Sequence, residues 1–543
     1  MKQFLSLCAI AFVLCSCNEP KADLVVYNAK IYTVNDKFEI AEAMAIKDGK
    51  ILSVGTTAEI QKKYAATESI NANGKPIYPG FIDAHAHFLG YGQSLQNVDL
   101  RGTTSWDDVL KRVTEFAKTH PDGWLTGRGW DQNDWADKQF PTKEKLDALF
   151  PNRPVVLERV DGHAAIANQM ALDAAKISKS VALVGGDIIE KNGKLTGVLI
   201  DNAVDLVSSK VPAPNDKLKK KMLLDAQKNC FEVGLTTIDD CGLSADDVTF
   251  IEQMQKDNTL KMRLYIMLSD AKNNYDYLIK RGAIKTDRLN VRAFKVYADG
   301  ALGSRGACLL HPYSDMPTKS GFLLSELKHF EEVANLINKH DFQMCTHAIG
   351  DSANRSILKI YNKVLNGKND KRWRIEHAQV VAQSDFNLFG EGNIVPSVQP
   401  THATSDMYWA ADRLGKERVK GAYAYKQLLS QNGWIPLGTD FPVEQINPMF
   451  TFYAATARKD DNNFPQGGYQ MENALTKQEA LKGMTIWAAK ANFEEKEKGS
   501  LEPGKLADFV MLQNDIMTTN GKQILQNKVL KTYVNGEKVY EKK

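Results

Sequence analysis

Between residues 76 and 442, short apolar runs rich in β-branched residues alternate with stretches of helical periodicity. Eight such runs can be read: PIYPGFIDAHAH, RPVVLERVDGH, GLTTIDDC, VRAFKVYADG, FQMCTHAIGD, RIEHAQ, NIVPSVQP and WIPLGTDFP. Each ends in polar or ionisable residues, and most are followed by a helical pattern such as ANRSILKIYNKVL. Eight strand–helix units predict an α/β fold of the (β/α)8 TIM-barrel kind, whose reactive groups sit at the carboxyl ends of its strands. An open doubly wound sheet would require a glycine-rich phosphate loop after an early strand, and the sequence has none.

The chain has 543 residues and is 43% hydrophobic, enough for one large core and a smaller unit beside it. The smaller unit is read from the two chain ends. From Asp23 onward, DLVVYNAKIYTV, AMAIKDGKILSVG and SINANGKPIYPG are β-rich runs punctuated by Asp-Gly and Asn-Gly, and LADFVMLQND and VLKTYVNGEKVY repeat the style near the other end. The expected organisation is a composite β-sandwich of residues 18–76 and 497–543, with a barrel over 77–496 that carries an insertion at about 90–152. Lys and Arg number 69 against 66 Asp and Glu, interspersed and summing to +3, so no nucleic-acid partner is expected. The oligomeric state, a homodimer included, stays open.

The first residues, MKQFLSLCAIAFVLCSC, place one lysine before an apolar run too short for a membrane span and long enough for a signal-peptide core. Leu14-Cys15-Ser16-Cys17 resembles a bacterial lipoprotein signal, in which the cysteine is lipidated and becomes the new first residue. On this reading residues 1–17 are the signal, Cys17 carries a lipid anchor that is the only membrane contact, and the mature protein lies in the cell envelope, in the periplasm or on the outer membrane. A plain secretory signal cut nearby is the alternative. Cys230, Cys241, Cys308 and Cys345 are widely spaced with no CxxC pair, so a zinc ribbon or redox motif is not supported; buried thiols are expected, with a disulfide as the alternative in an exported protein.

Histidine is sparse, with 10 in the chain, yet PGFIDAHAHF places His85 and His87 at alternate positions after an apolar segment. Alternate side chains of a strand share a face, so both imidazoles converge, as a metal requires. His347 ends the strand QMCTH, His377 ends RIEH and Asp440 ends PLGTD, each where a barrel keeps its site. Lys295, in VRAFKVYADG, shares strand parity with Tyr297 and Asp299. An ammonium in a barrel interior is costly unless it is paired or chemically altered. Two resolutions stand open: carboxylation to a carbamate able to bridge two cations, or an ion pair with Asp299.

PGFIDAHAHF, GRGWDQNDW, DGHAAIAN, FKVYADGALGSRGA, THAIGD, RIEHAQ, GTDFPV and GSLEPGKLADFV, in this order, resemble the amidohydrolase superfamily, more narrowly its YtcJ-like branch, amidohydrolase family 3. The similarity runs from about Asp23 to Tyr540. It implies that His85, His87 and Asp440 hold the more buried of two divalent metal ions, His347 and His377 the more exposed, and Lys295 bridges them as a carbamate. Zinc is the first choice, though manganese, cobalt or iron suit the same donors. The implied activity is metal-dependent hydrolysis of an amide or other carbon–nitrogen bond in a small molecule, of the N-acyl or N-formyl amine type. Paired ions make hydroxide available near neutral pH, and Asp440 is placed as general acid and base.

Other residues are read as shaping the substrate pocket. His163 in DGH, after the second run, could hydrogen-bond the developing oxyanion, and His402 in QPTH, after the seventh, could contact substrate. Arg305, in GALGSRGA, could bind a substrate carboxylate or pin its own loop by ion pairing. Trp124, Trp130 and Trp135 could form a lid over the mouth, with Trp130 touching substrate, or be core for the insertion. Two other readings remain: a deaminase of the superfamily, which usually has one metal and no use for a bridging lysine, and an envelope lipoprotein that binds ligand or metal without turnover.

Overall fold

The computed structural model describes residues 21–179 and 183–543. The signal sequence and Cys17 lie outside the described residues. Among the described residues no helix is long and apolar enough to cross a membrane.

The central element is a parallel sheet rolled into a TIM-like barrel. Its strands are, in order, Phe81–Ala86, Leu235–Leu243, Arg263–Ser269, Leu289–Tyr297, Gln343–Ala348, Arg374–His377 and Val395–Ser397. The segment 434–440 takes the eighth place through single contacts: Leu437 bridges Val398 in parallel, the Ala84 N–H donates to Leu437 O at 3.2 Å, and the Asp440 N–H donates to His85 O at 2.7 Å. Closure thus brings the last strand position against the first, which carries His85 and leads directly into His87.

Seven of the eight barrel places are regular strands and the eighth is the irregular segment 434–440; one expected member is wrong. RPVVLERVDGH is not a barrel strand; Val155–Arg159 pairs within a separate sheet. The third place belongs to Arg263–Ser269, an apolar run that ends without a candidate ligand. Periodicity reports that a strand is buried, not which sheet it joins, so a false strand and a missed one cancelled.

That separate sheet enlarges the insertion. It comprises Val98–Asp99, Leu125–Trp130, Val155–Arg159, Ala164–Ala167, Lys194–Asp201 and Gly186–Lys191, in spatial order, so the insertion reaches Asp201 instead of ending near 152. Helix Asp216–Glu232 then leads back to the second barrel strand.

Both chain ends build the smaller unit. One sheet holds Lys21–Tyr27, Ala43–Lys47, Lys50–Gly55 and Ala65–Asn71; the other joins Lys30–Tyr32, Ile40–Ala41 and Pro76–Pro79 to Phe509–Leu512, Val529–Val534 and Glu537–Glu541. Phe509–Leu512 pairs antiparallel with Pro76–Pro79, tying one terminus to the other. Leu24, Ile31, Ile46, Ile77, Phe509 and Tyr533 fill the space between the sheets.

Barrel strands are covered on both faces, and their two faces differ in chemistry. On the fourth strand Phe294 packs outward against Tyr275 and Phe342, while Lys295 is fully buried. Deeper in the interior, Arg374 donates to Asp239 Oδ2 at 2.9 Å and to Ala84 O at 3.2 Å, a paired charge where an unpaired one would be costly. Cys230, Cys241, Cys308 and Cys345 are free thiols.

Candidate metal centre

The first strand and segment 434–440 are stitched by a residue of the opening motif. The Asp83 carboxylate accepts the Thr439 N–H at 2.9 Å, the Thr439 hydroxyl at 2.7 Å and the His85 N–H at 3.3 Å. Burial pushes its carboxyl up to about 7. The approach is close enough that a Cβ at Gly438 would lie 2.5 Å from His85 N, so this position requires glycine. Asp440 follows with φ +64. Its Oδ1 lies 3.1 Å from His87 Nε2 and 3.6 Å from His85 Nε2, and its Oδ2 lies 3.3 Å from His402 Nε2.

Each imidazole of the HxH motif has its other nitrogen committed. His85 Nδ1 lies 2.6 Å from Glu376 Oε2, and His87 Nδ1 lies 3.0 Å from the carbonyl of Cys241. With Nδ1–H donated in both rings, each Nε2 presents a lone pair inward, the arrangement by which a second layer of groups orients metal-binding histidines. Burial and the Lys295 charge lower His85 to about 4, which keeps it neutral. Burial opposes the charge of Glu376, yet His85 and Arg374 outweigh it and lower that carboxyl to about 2.

His347 and His377 complete the rim from the fifth and sixth strands. Their rings are 4.5 Å apart, and that of His377 is 4.7 Å from His85. Burial holds both well below the usual imidazole value. His347 Nε2, His377 Nδ1 and Asp440 Oδ1 are buried with no hydrogen-bond donor or acceptor paired to them, Asp440 Oδ1 facing the imidazole lone pairs of His85 and His87, and buried polar atoms left this way call for another partner. Donor atoms of His85, His377 and Asp440 lie within 4.8 Å of one another. Neutral imidazoles around an ionised carboxylate fit a divalent cation. This tightest trio mixes the two ligand sets that the resemblance implied.

Lys295 Nζ lies 3.1 Å from His85 Nε2 and 4.9 Å from the centre of the Tyr297 ring. Burial disfavours its charge, but Cys241, Tyr297, Glu376 and Asp440 tip the balance upward. The alternative pairing with Asp299 is not made: both Asp299 oxygens accept main-chain N–H groups, from Ile349 at 2.9 Å and from Gly350 and Cys308 at 2.8 Å.

The remaining candidates divide. His402 stands at the centre, with Nδ1 2.9 Å from Glu444 Oε1. Burial works against its charge, but Asp440 and Glu444 raise it to about 10. His163 comes from the insertion, and its ring lies 4.9 Å from that of His347. Trp130 is fully buried in the insertion's own core and donates to Leu157 O at 2.8 Å; it touches no substrate space. Arg305 pairs with Asp315 at 2.8 Å, a carboxylate it shares with Arg413, so its charge is spent holding its loop. A cavity of about 670 Å³ opens beside the centre, lined by His402, Arg101, Trp409 and by Arg159 with its partners Asp131 and Asp161. The sequence reading passed over Glu376, Glu444 and Asp201; Glu376 was in view as the neighbour of His377 in RIEH.

A parallel barrel whose mouth gathers neutral imidazoles with free nitrogens around a carboxylate, next to an open cavity, defines a metal-dependent hydrolase. The chain belongs to the amidohydrolase family, whose model matches residues 68–540. It is 34% identical to Protein LONG AFTER FAR-RED 3 of Arabidopsis thaliana, over 96% of this chain and 92% of that one. It is 32% identical to Putative amidohydrolase YtcJ of Bacillus subtilis (strain 168), over 94% and 98%. With N-substituted formamide deformylase of Arthrobacter pascens it shares 26% identity over 96% and 98%. Among solved structures, an uncharacterized metal-dependent hydrolase from Pyrococcus horikoshii OT3 superposes with a TM-score of 0.74 at 25% identity, covering 91% of this chain and 98% of that one.

Proposed function

We propose that the protein hydrolyses an amide or other non-peptide carbon–nitrogen bond of a small molecule, of the N-acyl or N-formyl amine type. The observation that carries this reading is the set of orphaned, buried donor atoms on His347, His377 and Asp440. Similarity along nearly the whole chain to a protein named as a formamide deformylase supports the substrate class. His85, His87, His347, His377, Asp440 and Lys295 as its carbamate would hold two divalent ions, zinc first. Bound there, the ions supply Lewis acidity toward a carbonyl and lower the pKa of water.

The chain's own groups do the rest. Asp440 is ionised and sits between His87 and His402, so it can accept a proton from the attacking water and return it to the departing nitrogen. His402, cationic and steered by Glu444, holds its Nε2–H at 3.3 Å from Asp440 on the cavity side, from where it would turn from Asp440 to charge developing on the carbonyl oxygen. The cavity beside it receives the remainder of the substrate. Lys295 makes no direct ion pair with a carboxylate among the described residues, its close polar neighbour being His85 Nε2, which supports carbamate formation over a simple ion pair and disfavours the deaminase reading. From its first residues we also place the protein in the bacterial cell envelope, anchored through lipid on Cys17.

The test is amine release from N-formylbenzylamine and N-acetylbenzylamine by zinc-loaded protein, with metal counted per chain. Turnover that requires metal and disappears in Asp440→Asn is expected. A fully loaded protein that cleaves no such amide refutes the assignment.

A further inference from the structure

The insertion reaches the metal centre through His163, and one residue of the same sheet holds that imidazole. His163 Nδ1 lies 2.7 Å from Oδ1 of Asp201, the last residue of strand Lys194–Asp201. The main chain is fastened as well: the Asp201 N–H donates to His163 O at 2.8 Å, and the His163 N–H donates to Asp161 Oδ1 at 3.0 Å. The Asp201 side chain is fully buried, while that of His163 keeps 16% of its surface open.

Three features show that the fold goes out of its way to place this carboxylate. Asp201 sits at φ 49, ψ −123, a backbone region that a residue with a Cβ enters only at a cost and that recurs at functional sites. Its side chain occupies space left by two glycines of the loop after the fourth barrel strand. A Cβ at Gly300 would lie 2.3 Å from Asp201 Oδ2, and one at Gly306 would lie 2.2 Å from it. Oδ2 itself is buried with no partner, so the carboxylate was not put there for its own satisfaction. The glycines of DGALGSRGA therefore find their reason in a residue about a hundred positions upstream.

We propose that Asp201 is a positioning residue for the reaction: it fixes the ring of His163 through Nδ1, which leaves Nε2 to face the reacting carbonyl beside His347, so that the insertion contributes part of the active site. The kinetic role rests on the function proposed above; the pairing itself does not. Because the two ring nitrogens point in widely divergent directions, a ring fastened at Nδ1 has one remaining edge for substrate.

The experiment uses the full, zinc-loaded chain. Asp201→Ala is expected to lower kcat about 10–100-fold with KM within about threefold, and His163→Ala about 100–1,000-fold. The double variant should be no slower than His163→Ala, since the two act as one unit. Asp201→Asn, which keeps an acceptor for Nδ1–H, should recover most of the loss, and Gly306→Ala, which displaces the carboxylate, should follow Asp201→Ala. Losses that add in the double variant, or an Asp201→Ala enzyme as fast as wild type, overturn the proposal. An activity-independent arm records histidine ¹⁵N spectra, with His163 assigned by its disappearance in His163→Gln. A protonated Nδ1 that shifts in Asp201→Ala, at unchanged zinc content, supports the pairing even if no amide is cleaved, whereas an unmoved His163 signal overturns it whatever the enzyme hydrolyses.

Discussion

Two histidine–glutamate pairs bracket Asp440, one on the floor of the barrel mouth and one on the wall facing the cavity, and they end in opposite charge states. His85 with Glu376 is drawn down to about 4, whereas His402 with Glu444 is lifted to about 10. Burial lowers both. Each ring lies between its glutamate and Asp440, which is 3.6 Å from His85 and 3.3 Å from His402; the difference is the unmodified Lys295 ammonium 3.1 Å from His85, whereas the charges that act on His402 are the carboxylates Asp440 and Glu444. The same pair of residues thus becomes a neutral ligand on the floor and a cationic donor on the wall, decided by what stands on the far side of the ring.

Removing the shared anion breaks this comparison most severely. Asp440→Asn should cut turnover by about a thousandfold or more at saturating zinc, within the span of lost general acid–base catalysis added to lost ligation. An amine-release assay within tenfold of wild type would mean that Asp440 serves neither pair.

The floor pair is sharpened through metal affinity. Glu376→Gln should weaken zinc binding about 10–100-fold in a chelator competition, as loss of an orienting partner does. Glu444→Gln, acting on the wall, should leave that affinity within about twofold. Equal weakening by both variants would erase the distinction between floor and wall.

The wall pair is sharpened by pH. The folded value of His402 is raised from 6.5 to about 10, so in chelator-treated protein its contribution to stability is whole below pH 6.5 and is lost as pH rises through about 10. Thermal melts across that window should fall more steeply for the native chain than for His402→Gln. Parallel curves would show that the cation is absent.

The smallest effect belongs to a residue that the structure moves away from the mouth. Arg305→Gln should cost about 1 kcal/mol or less, because Arg413 still holds Asp315. Its kcat/KM should stay within about twofold, since Arg305 is not among the residues that line the cavity. A tenfold rise in KM for carboxylate-bearing substrates would restore its role in binding.

His85, His87, His347 and Asp440 could be read from the chain because a strand writes its geometry into consecutive residues: alternate positions share a face, and the last position of a barrel strand opens on the mouth. His377 was found by the same reasoning though it breaks the rule behind it. Glu376 and His377 are consecutive, yet both reach His85, because φ +73 at His377 ends the alternation. That exception also hid Glu376, which strand parity alone would have set apart from its neighbour. Trp130 was misplaced for the converse reason, since an aromatic in a loop-like stretch looks the same whether it faces a substrate or the core of its own sheet.

By itself, the sequence determined the barrel class, the composite sheet domain of the two ends and the histidines and aspartate, His85, His87, His347, His377 and Asp440, that meet at the mouth, since each is carried by local periodicity or by motifs in order. Only the tertiary structure decided which run filled the third place in the barrel, how far the insertion extends, that Lys295 meets His85 across 210 residues, and that Asp201 lies in the space left by Gly300 and Gly306. Contacts of that kind depend on how a closed sheet brings distant segments together, and no pattern along a single stretch of chain records where the closure will fall.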